Sequence, residues 1–263
     1  MAGEDNVDRG TAPAVTRALS ILGLLADAHG VPMGLSDIGR ALGIAKSSTS
    51  NICVALEEGG MIQRTGLGYM LGRRNVELGG AFLRSFDQVR EFYKICSESP
   101  VLSHELLQLA VLDNTDVLYL ARHEGRAPLR LSATIGDRFP ASLTAIGNAL
   151  LAELPPAEVE RRYRGVQDFP QLTDRSVKTL AALQVKLDAA RVHGYGLDEG
   201  EVFPSVIGVA MVIPPRSSGD VPMAIGASMF RASDSPGHRE RVIAALRTAV
   251  AQLLNPMIVS TID

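Results

Sequence analysis

The sequence predicts an α+β protein in two parts: an N-terminal winged helix-turn-helix, joined by a linker helix to a C-terminal domain built on an antiparallel sheet. Three observations carry this. Between Gly34 and Ile62 two short helical patterns meet at a single glycine, Gly43. From Leu106 onward, paired apolar runs of strand length are joined by turn formers, first at Asp113-Asn114-Thr115 and again across Pro214 to Pro222. Between those pairs helical patterns take over, from Thr144 to His193, so strands, helices and strands follow one another.

Residues 1–12 mix charge with glycine and threonine, lack periodicity, and read as a disordered arm. Residues 13–72 make the winged head. A helix from Pro13 to Ala28 places Val15, Ala18, Leu19, Leu22 and Leu25 at helical spacing, so it can back the next two helices. Ser36 caps the first of them, with Ile38, Ala41 and Leu42 on one side, Asp37 favourably placed in its first turn, and Gly43 as its stop. Ala45 or Lys46 opens the second, which runs to Gly59-Gly60.

On that second helix Ala45, Ser48, Thr49, Ile52, Ala55 and Leu56 share one face, and Lys46, Ser47, Ser50, Asn51, Val54 and Glu57 share the other. The second face is short and polar. Its hydroxyls, amide and ammonium suit phosphates and base edges in a major groove, and Val54 suits a thymine methyl. On an isolated helix pair the same pattern is an ordinary solvated surface. The neighbours turn the reading toward DNA: Met61 to Arg64 and Tyr69 to Leu71 flank a glycine-rich turn and form a small hairpin, with Arg64, Arg73 and Arg74 where a wing meets phosphates.

Residues 73–99 carry Val76, Leu78, Ala81, Phe82, Phe86, Val89, Phe92, Tyr93 and Ile95 without proline, and predict one long linker helix ended by Ser99-Pro100. Its apolar stripe is a candidate dimer contact, and a rigid spacer would hold two heads at the separation a two-fold operator needs. Residues 100–263 make the α+β domain. Leu106 to Leu112 and Asp116 to Arg122 form a hairpin, Leu129 to Ser132 a third strand, and Thr144 to Leu154 a helix ended by Pro155-Pro156. A helix follows over Ala157 to Tyr163, then a longer one from Ser176 to His193, with Leu180, Leu183, Leu187, Ala190 and Val192 inward. Strands follow at Leu197 to Glu201, Val206 to Ile213 and Met223 to Phe230, and a helix from Pro236 to Leu254 closes the domain.

Composition sets the outer limits. The 263 residues, 46% hydrophobic and 21% charged, have an ordinary soluble balance and suffice for one large or two ordinary domains. A net charge of −3 offers no global attraction to nucleic acid or an anionic membrane, so any DNA contact is confined to one face. The N-terminal residues are acidic and polar, unlike a secretory leader, and no apolar run is long enough to span a bilayer, which places the protein in the cytoplasm, away from membranes. The only cysteines, Cys53 and Cys96, read as reduced, partly buried small hydrophobes. No metal-ligand spacing and no cofactor motif appears.

Several stretches, in this order and spacing, resemble the IclR family of bacterial transcription regulators over about residues 14–255: Thr16 to Leu22, Leu35 to Ile38, Lys46-Ser47-Ser48, Leu109 to Asp113, Pro128 to Ser132, Ala145 to Ala152, and His193-Gly194-Tyr195 with Asp198-Glu199. The resemblance implies a winged helix-turn-helix, a linker helix and a GAF-like effector domain in a homodimer or tetramer. It implies an effector pocket between the sheet and the helix opened by Thr144, with the N–H groups of Ala145 and Ile146 receiving a carboxylate. Free N–H groups and the helix dipole favour an anion there. Asp198 and Ser228 would supply polar contacts, and Leu131, Phe139 and Val206 the walls.

The chain departs from the family pattern at four places. Gly208 and Gly226 stand where some relatives carry cysteine and serine. Their missing side chains predict a roomier, less polar pocket that takes an aromatic or branched organic acid; the alternative is that they serve strand packing. Ala45 replaces a proline, and Asn51 replaces an arginine, exchanging a guanine or phosphate contact for one suited to adenine. By the same resemblance Arg17 contacts phosphate; a surface ion pair is its alternative role.

Ser142, His104 and Asp198 are residue types of acyl transfer, but there is no G-x-S-x-G elbow and the five histidines are scattered, so the chain reads as a regulator and not an enzyme. The competing reading is a ligand-sensing or interaction module without sequence-specific DNA binding. The double-stranded operator is what separates the two.

Overall fold

The computed structural model describes residues 12–125, 133–166, 168–233 and 235–254. The arm at residues 1–11, the strand expected from Leu129 to Ser132 and the wall residue Leu131 lie outside the described residues. The chain divides into two units, Met1–Ser85 and Phe86–Asp263.

In the first unit, α1 (Pro13–Asp27), α2 (Leu35–Leu42) and α3 (Lys46–Glu58) precede a hairpin of β1 (Ile62–Thr65) and β2 (Gly68–Leu71), and α4 (Arg74–Arg84) follows. Their common core is Ile21, Leu25, Ile38, Cys53, Ile62 and Tyr69. The inward stripe of α1 is phased differently from the expected one. Ile21 and Leu25 are buried, while Val15 and Leu19 are 57% and 64% exposed.

The first turn of α2 differs as well. Gly34 is its N-cap, in extended backbone, and the Gly34 carbonyl accepts the N–H groups of Asp37 and Ile38 at 3.0 Å each. Ser36 is therefore inside the helix, exposed, and not its cap. The αL conformation at Gly43 ends α2, with the Ile44 N–H returning to the Gly39 carbonyl at 2.9 Å. The crossing with α3 is close because Gly39 has no side chain: a Cβ there would stand 3.2 Å from Thr49 Oγ1. On α3, Thr49 and Cys53 are fully buried and Ala55 turns outward instead of inward.

The hairpin pairs Ile62 with Leu71 through Thr65 with Gly68. Met33 adds a bridge to Tyr69, donating and accepting at 2.9 and 2.8 Å. Gly68, at φ +141°, permits that approach, since a Cβ there would lie 2.4 Å from the Met33 carbonyl oxygen.

The expected single linker helix over residues 73–99 is instead two helices, α4 and α5 (Asp87–Glu98). Ser85 donates its hydroxyl to the Phe82 carbonyl at 2.6 Å, and Phe86 is extended, so the backbone ladder stops there. The break coincides with the boundary between the two units. Helix α4 buries none of its residues, whereas Phe92 and Cys96 of α5 are fully buried in the second unit.

The second unit is built on a six-stranded antiparallel sheet of order β5-β4-β3-β8-β7-β6. Its strands are β3 (Leu106–Asp113), β4 (Asp116–His123), β5 (Arg138–Pro140), β6 (Gly196–Asp198), β7 (Val206–Ile213) and β8 (Met223–Phe230). Strands β3, β7 and β8 are buried at both parities along most of their length, which requires cover on both faces. Helices α6 (Ala145–Ala152), α7 (Pro156–Tyr163) and α8 (Leu180–His193) pack on the face carrying Ala110, Ala210 and Ala224. Helices α5 and α9 (Pro236–Leu254) contact each other, with α5 reaching β3 and β4 and α9 reaching β7 and β8.

Four details of this unit depart from expectation. Strand β5 was not anticipated, and β6 is shorter than Leu197 to Glu201 because Glu199 turns out of the sheet. Helix α8 starts at Leu180, capped by Thr179 Oγ1, which accepts the Ala182 N–H at 3.1 Å. Ser176 is instead a loop clasp, accepting from the Leu172 and Thr173 N–H groups and donating to the Glu201 carbonyl. Val192, expected inward, is 82% exposed.

Candidate effector pocket and DNA-binding surface

Helix α6 is buried along its whole length and apolar except at Asn148, whose Nδ2 donates to the Leu197 carbonyl at 2.9 Å, so it needs a floor it can approach closely. The sheet supplies one. In register, Asp198, Gly208, Ser228 and Leu106 form one row across β6, β7, β8 and β3, and Gly196, Ala210, Gly226 and Gln108 form the next. A Cβ on Gly226 would stand 2.8 Å from Ile146 Cγ1, and one on Gly208 3.1 Å from Ala145 Cβ. At Gly196 it would meet the Ala145 carbonyl at 2.2 Å. The glycines therefore seat the helix. This corrects the expectation that Gly208 and Gly226 widen the pocket: Ile146 and Ala145 occupy the room they leave, although both glycines do line the cavity.

The start of α6 faces a pocket enclosing about 460 Å³ of empty space, its open mouth included. Thr144 caps the helix, its Oγ1 accepting the Gly147 N–H and its carbonyl the Asn148 N–H, both at 2.9 Å. The N–H groups of Ala145 and Ile146 meet no acceptor among the described residues, which is the arrangement that receives an anion. Of the residues expected to bind effector, Phe139, Ala145, Ile146, Asp198, Val206, Gly208, Gly226 and Ser228 all line this one pocket. The structure adds Gln108, Tyr119, Thr144, Val202 and Phe203 to its lining. A polar residue inside an otherwise apolar strand was the available signal for Gln108; the loop residues Val202 and Phe203 gave none.

Asp198 is 6% exposed, and its Oδ1 accepts the N–H groups of Gly200 and Glu201 at 3.0 and 2.7 Å. Burial pushes its carboxyl up to about 7, against those two hydrogen bonds and Lys186, which favour the charged form, while the Glu201 charge adds to the rise. Burial likewise raises the Tyr119 phenol, helped by the Asp198 and Asp137 charges. The Tyr119 ring meets Phe139 edge-on at 5.9 Å.

The loop from Glu199 to Ser205, which carries Val202 and Phe203 into the pocket wall, is held at several points. Thr173 Oγ1 donates to the Gly200 carbonyl at 2.8 Å, and Arg231 Nε to the Pro204 carbonyl at 3.2 Å. Glu201 accepts the Val177 N–H at 3.2 Å and pairs with Lys186, which also donates to the Ser142 carbonyl at 3.0 Å.

On the head, Lys46, Ser47 and Asn51 are exposed on α3, with Ser48 and Ser50 half-buried and Val54 48% exposed. Among the described residues of this unit, none covers Lys46, Ser47 or Asn51. Arg64 is exposed on β1 with its guanidinium 5.9 Å from the centre of the Tyr69 ring, close enough for a cation–π contact. Arg73 is exposed, Arg74 pairs with Glu77, and Arg17 is half-buried on α1. Both cysteines are fully buried and free, and burial raises both thiols. Among the described residues no helix is long and apolar enough to cross a membrane.

A winged head with an uncovered polar helix, and a separate body holding a pocket beneath a helix N-terminus, define a ligand-responsive DNA-binding regulator. Comparison with known proteins gives the particular kind. The family model of the IclR helix-turn-helix domain matches residues 14–66, and that of the bacterial transcriptional regulator IclR C-terminal domain matches residues 83–255. The chain belongs to the IclR family of transcriptional regulators.

Curated relatives include the HTH-type regulator KdgR of Escherichia coli, 27% identical over 91% of this chain and 92% of that protein. The probable transcriptional regulator SauR of Cupriavidus necator is 31% identical over 83% and 87%. Among solved structures, an IclR regulator from Alicyclobacillus acidocaldarius shares the fold with a TM-score of 0.79 at 20% identity, covering 93% of this chain and 98% of that one. An IclR homolog from Microbacterium hydrocarbonoxydans, complexed with 4-hydroxybenzoate, has a TM-score of 0.76 at 24% identity, covering 91% and 97%. The protein is thus a transcription regulator with a helix-turn-helix DNA-binding domain and a C-terminal effector-binding domain.

Proposed function

We propose that this regulator reads its operator through Lys46, Ser47, Ser48, Ser50 and Asn51 of α3, with Arg17, Ser36 and Arg64 contacting phosphates at the edges. The supporting observation is the exposure of Lys46, Ser47 and Asn51 on a helix whose opposite face, at Thr49 and Cys53, is fully buried. The protein acts in the cytoplasm as a homodimer or tetramer. Val15 and Leu19 on α1 and Val76 and Leu78 on α4 support this as exposed apolar surface within the head unit. The effector is an organic acid seated on the Ala145 and Ile146 N–H groups, and the aromatic walls Phe139, Phe203 and Tyr119 favour an aromatic or branched one. It regulates by binding DNA-competent and incompetent arrangements with different affinity.

Fluorescence anisotropy on the intergenic DNA upstream of its own gene tests the DNA half. Changing Lys46 and Ser47 together to alanine should weaken binding about tenfold or more at fixed salt and flatten the salt dependence. Unchanged affinity, with the variant folded by circular dichroism, would remove α3 from the interface.

A further inference from the structure

We propose that this regulator has a second small-molecule site, apart from the pocket at the α6 N-terminus, on the open edge of β7. It takes a short peptide-like acid, an N-acylated amino acid or dipeptide, whose amide pairs with the strand edge and whose carboxylate meets Arg247.

The edge is open because β6 is short. Strand β7 pairs with β8 from Val206 to Ile213, but β6 covers its other side only at Gly208, Val209 and Ala210. The chain enters β6 from the end of α8 and so cannot extend that pairing. Gly194, at φ +74°, donates its N–H back to the Ala190 carbonyl at 2.8 Å, two residues before β6 begins. Successive residues of an antiparallel strand direct their N–H and C=O groups alternately to its two sides, so at least one of Met211, Val212 and Ile213 aims both groups away from β8. Among the described residues no strand and no loop backbone receives them. Such an edge is a template for an amide.

The edge also opens into a cavity with about 720 Å³ of empty space, its mouth included. Met211 and Val212 are successive and point to opposite faces, yet both line it, so the cavity straddles the sheet edge. Ala149 and Ala152 of α6 wall it on one face, and Val250 and Arg247 of α9 on the other. The buried residues of α9 take no part in the core beneath α6, which puts the two helices in different layers. The short alanine wall leaves width for a branched apolar side chain. A second copy of the chain does not fit, since a two-fold contact would set this concavity against its own like.

Charge fixes the direction of the ligand. Arg247 is exposed and has no hydrogen-bond or ion-pair partner among the described residues. The other guanidinium of the lining, Arg191, is committed: its Nε donates to the Ala152 carbonyl at 2.9 Å, Nη2 to the Leu154 carbonyl at 3.1 Å and Nη1 to Asp188 at 2.6 Å. Glu153, at the α6 end of the lining, turns a negative charge toward α9. A guanidinium has only donors, so the ligand brings the acceptor. An amide at the edge, an apolar group against the alanines and a carboxylate at Arg247 are the parts of an extended N-acyl amino acid.

Methyl NMR of the full chain, labelled at its methionine methyls, reads the site directly, because Met211 lines it and its signal is assigned by Met211→Leu. N-acetyl-leucine should shift that methyl saturably, binding about tenfold or more tighter than N-acetyl-leucinamide, which lacks the carboxylate, and than 4-methylpentanoate, which lacks the amide. Arg247→Gln should weaken N-acetyl-leucine at that methyl about tenfold, and Arg247→Lys, which keeps the charge, should weaken it less. No saturable shift of Met211, equal titration by all three compounds, or an affinity unmoved by Arg247→Gln overturns the proposal. N-acetyl-leucinamide binding as tightly as the acid also overturns it, and marks the edge as a docking strip for a protein segment instead.

Discussion

Raising the pH from 6 to 8 should weaken the binding of a carboxylate effector about tenfold, and Asp198 is the reason. Its carboxyl, held at about 7 chiefly by burial, lines the same pocket as the α6 N-terminus. A seated carboxylate adds a like charge, so the complex retains the Asp198 proton that the free protein releases as pH rises through 7. With a free value near 7, the protonated fraction falls from about nine-tenths at pH 6 to about one-tenth at pH 8, and the apparent affinity falls with it. The groups acting on Asp198 are Glu201 and Lys186, with opposite signs, and the N–H groups of Gly200 and Glu201, which are present throughout. Isothermal titration of an acid such as 4-hydroxybenzoate at half-unit pH steps, in two buffers of different ionisation enthalpy, reads both the affinity and the proton uptake. Asp198→Asn should flatten the profile and abolish the uptake. A flat profile in the unmodified protein, or the same slope in the asparagine variant, would refute the reasoning. Folding carries the same sign: the native chain holds a proton that the unfolded chain has released between about pH 4 and 7, so this contribution favours the fold at low pH and is lost as pH rises through 7.

Two further outcomes follow from the same region. Lys186→Met strips its cation from Glu201, whose side chain is 9% exposed, and should lower the stability of the effector unit by about 3 kcal/mol in urea denaturation while moving the pH midpoint for acid binding upward. A native-like denaturation midpoint would show that the pair contributes nothing. Gly147→Ala would set a Cβ 2.2 Å from the Ala141 carbonyl oxygen, a backbone atom that cannot swing away. It should destabilise the same unit by about 3 kcal/mol and abolish acid binding, and calorimetry finding the acid bound as before would contradict the packing described.

The legible parts were those where spacing and punctuation agreed. Strands β3, β4, β7 and β8 carry long apolar runs bounded by turn formers, and α9 lies between a proline and the end of its pattern, so their bounds matched within a residue or two. Resemblance joined to helix-terminus physics picked out the surroundings of the α6 N-terminus, and eight of the nine residues named there line one cavity, the ninth, Leu131, lying outside the described residues. What failed was decided by tertiary partners. Strand β5 is three residues ending in a proline and exists because Arg138–Pro140 pairs with β4. Ser176 has the character of a cap, but the Glu201 carbonyl and two loop N–H groups claim its hydroxyl. Helix α1 offered several apolar residues, and the core formed by Ile38, Cys53 and Tyr69 chose Ile21 and Leu25 over Val15 and Leu19. The linker stripe ran on past Ser85 with nothing in the side-chain pattern to mark the interruption. The glycines of the floor were legible as departures, but which helix residue would fill them was not.

The tight bedding of α6 divides the pocket into a part that cannot drift and a part that can. Its end at the helix N-terminus is locked between backbone atoms at Gly147, Gly196 and Ala141, where even one methyl has no room. The opposite end is drawn from single side chains on β3 and β4 and from the short stretch holding Val202 and Phe203. Substitutions at those pocket-facing positions should change the shape of what the cavity holds, while the backbone N–H groups of Ala145 and Ile146 stay where they are.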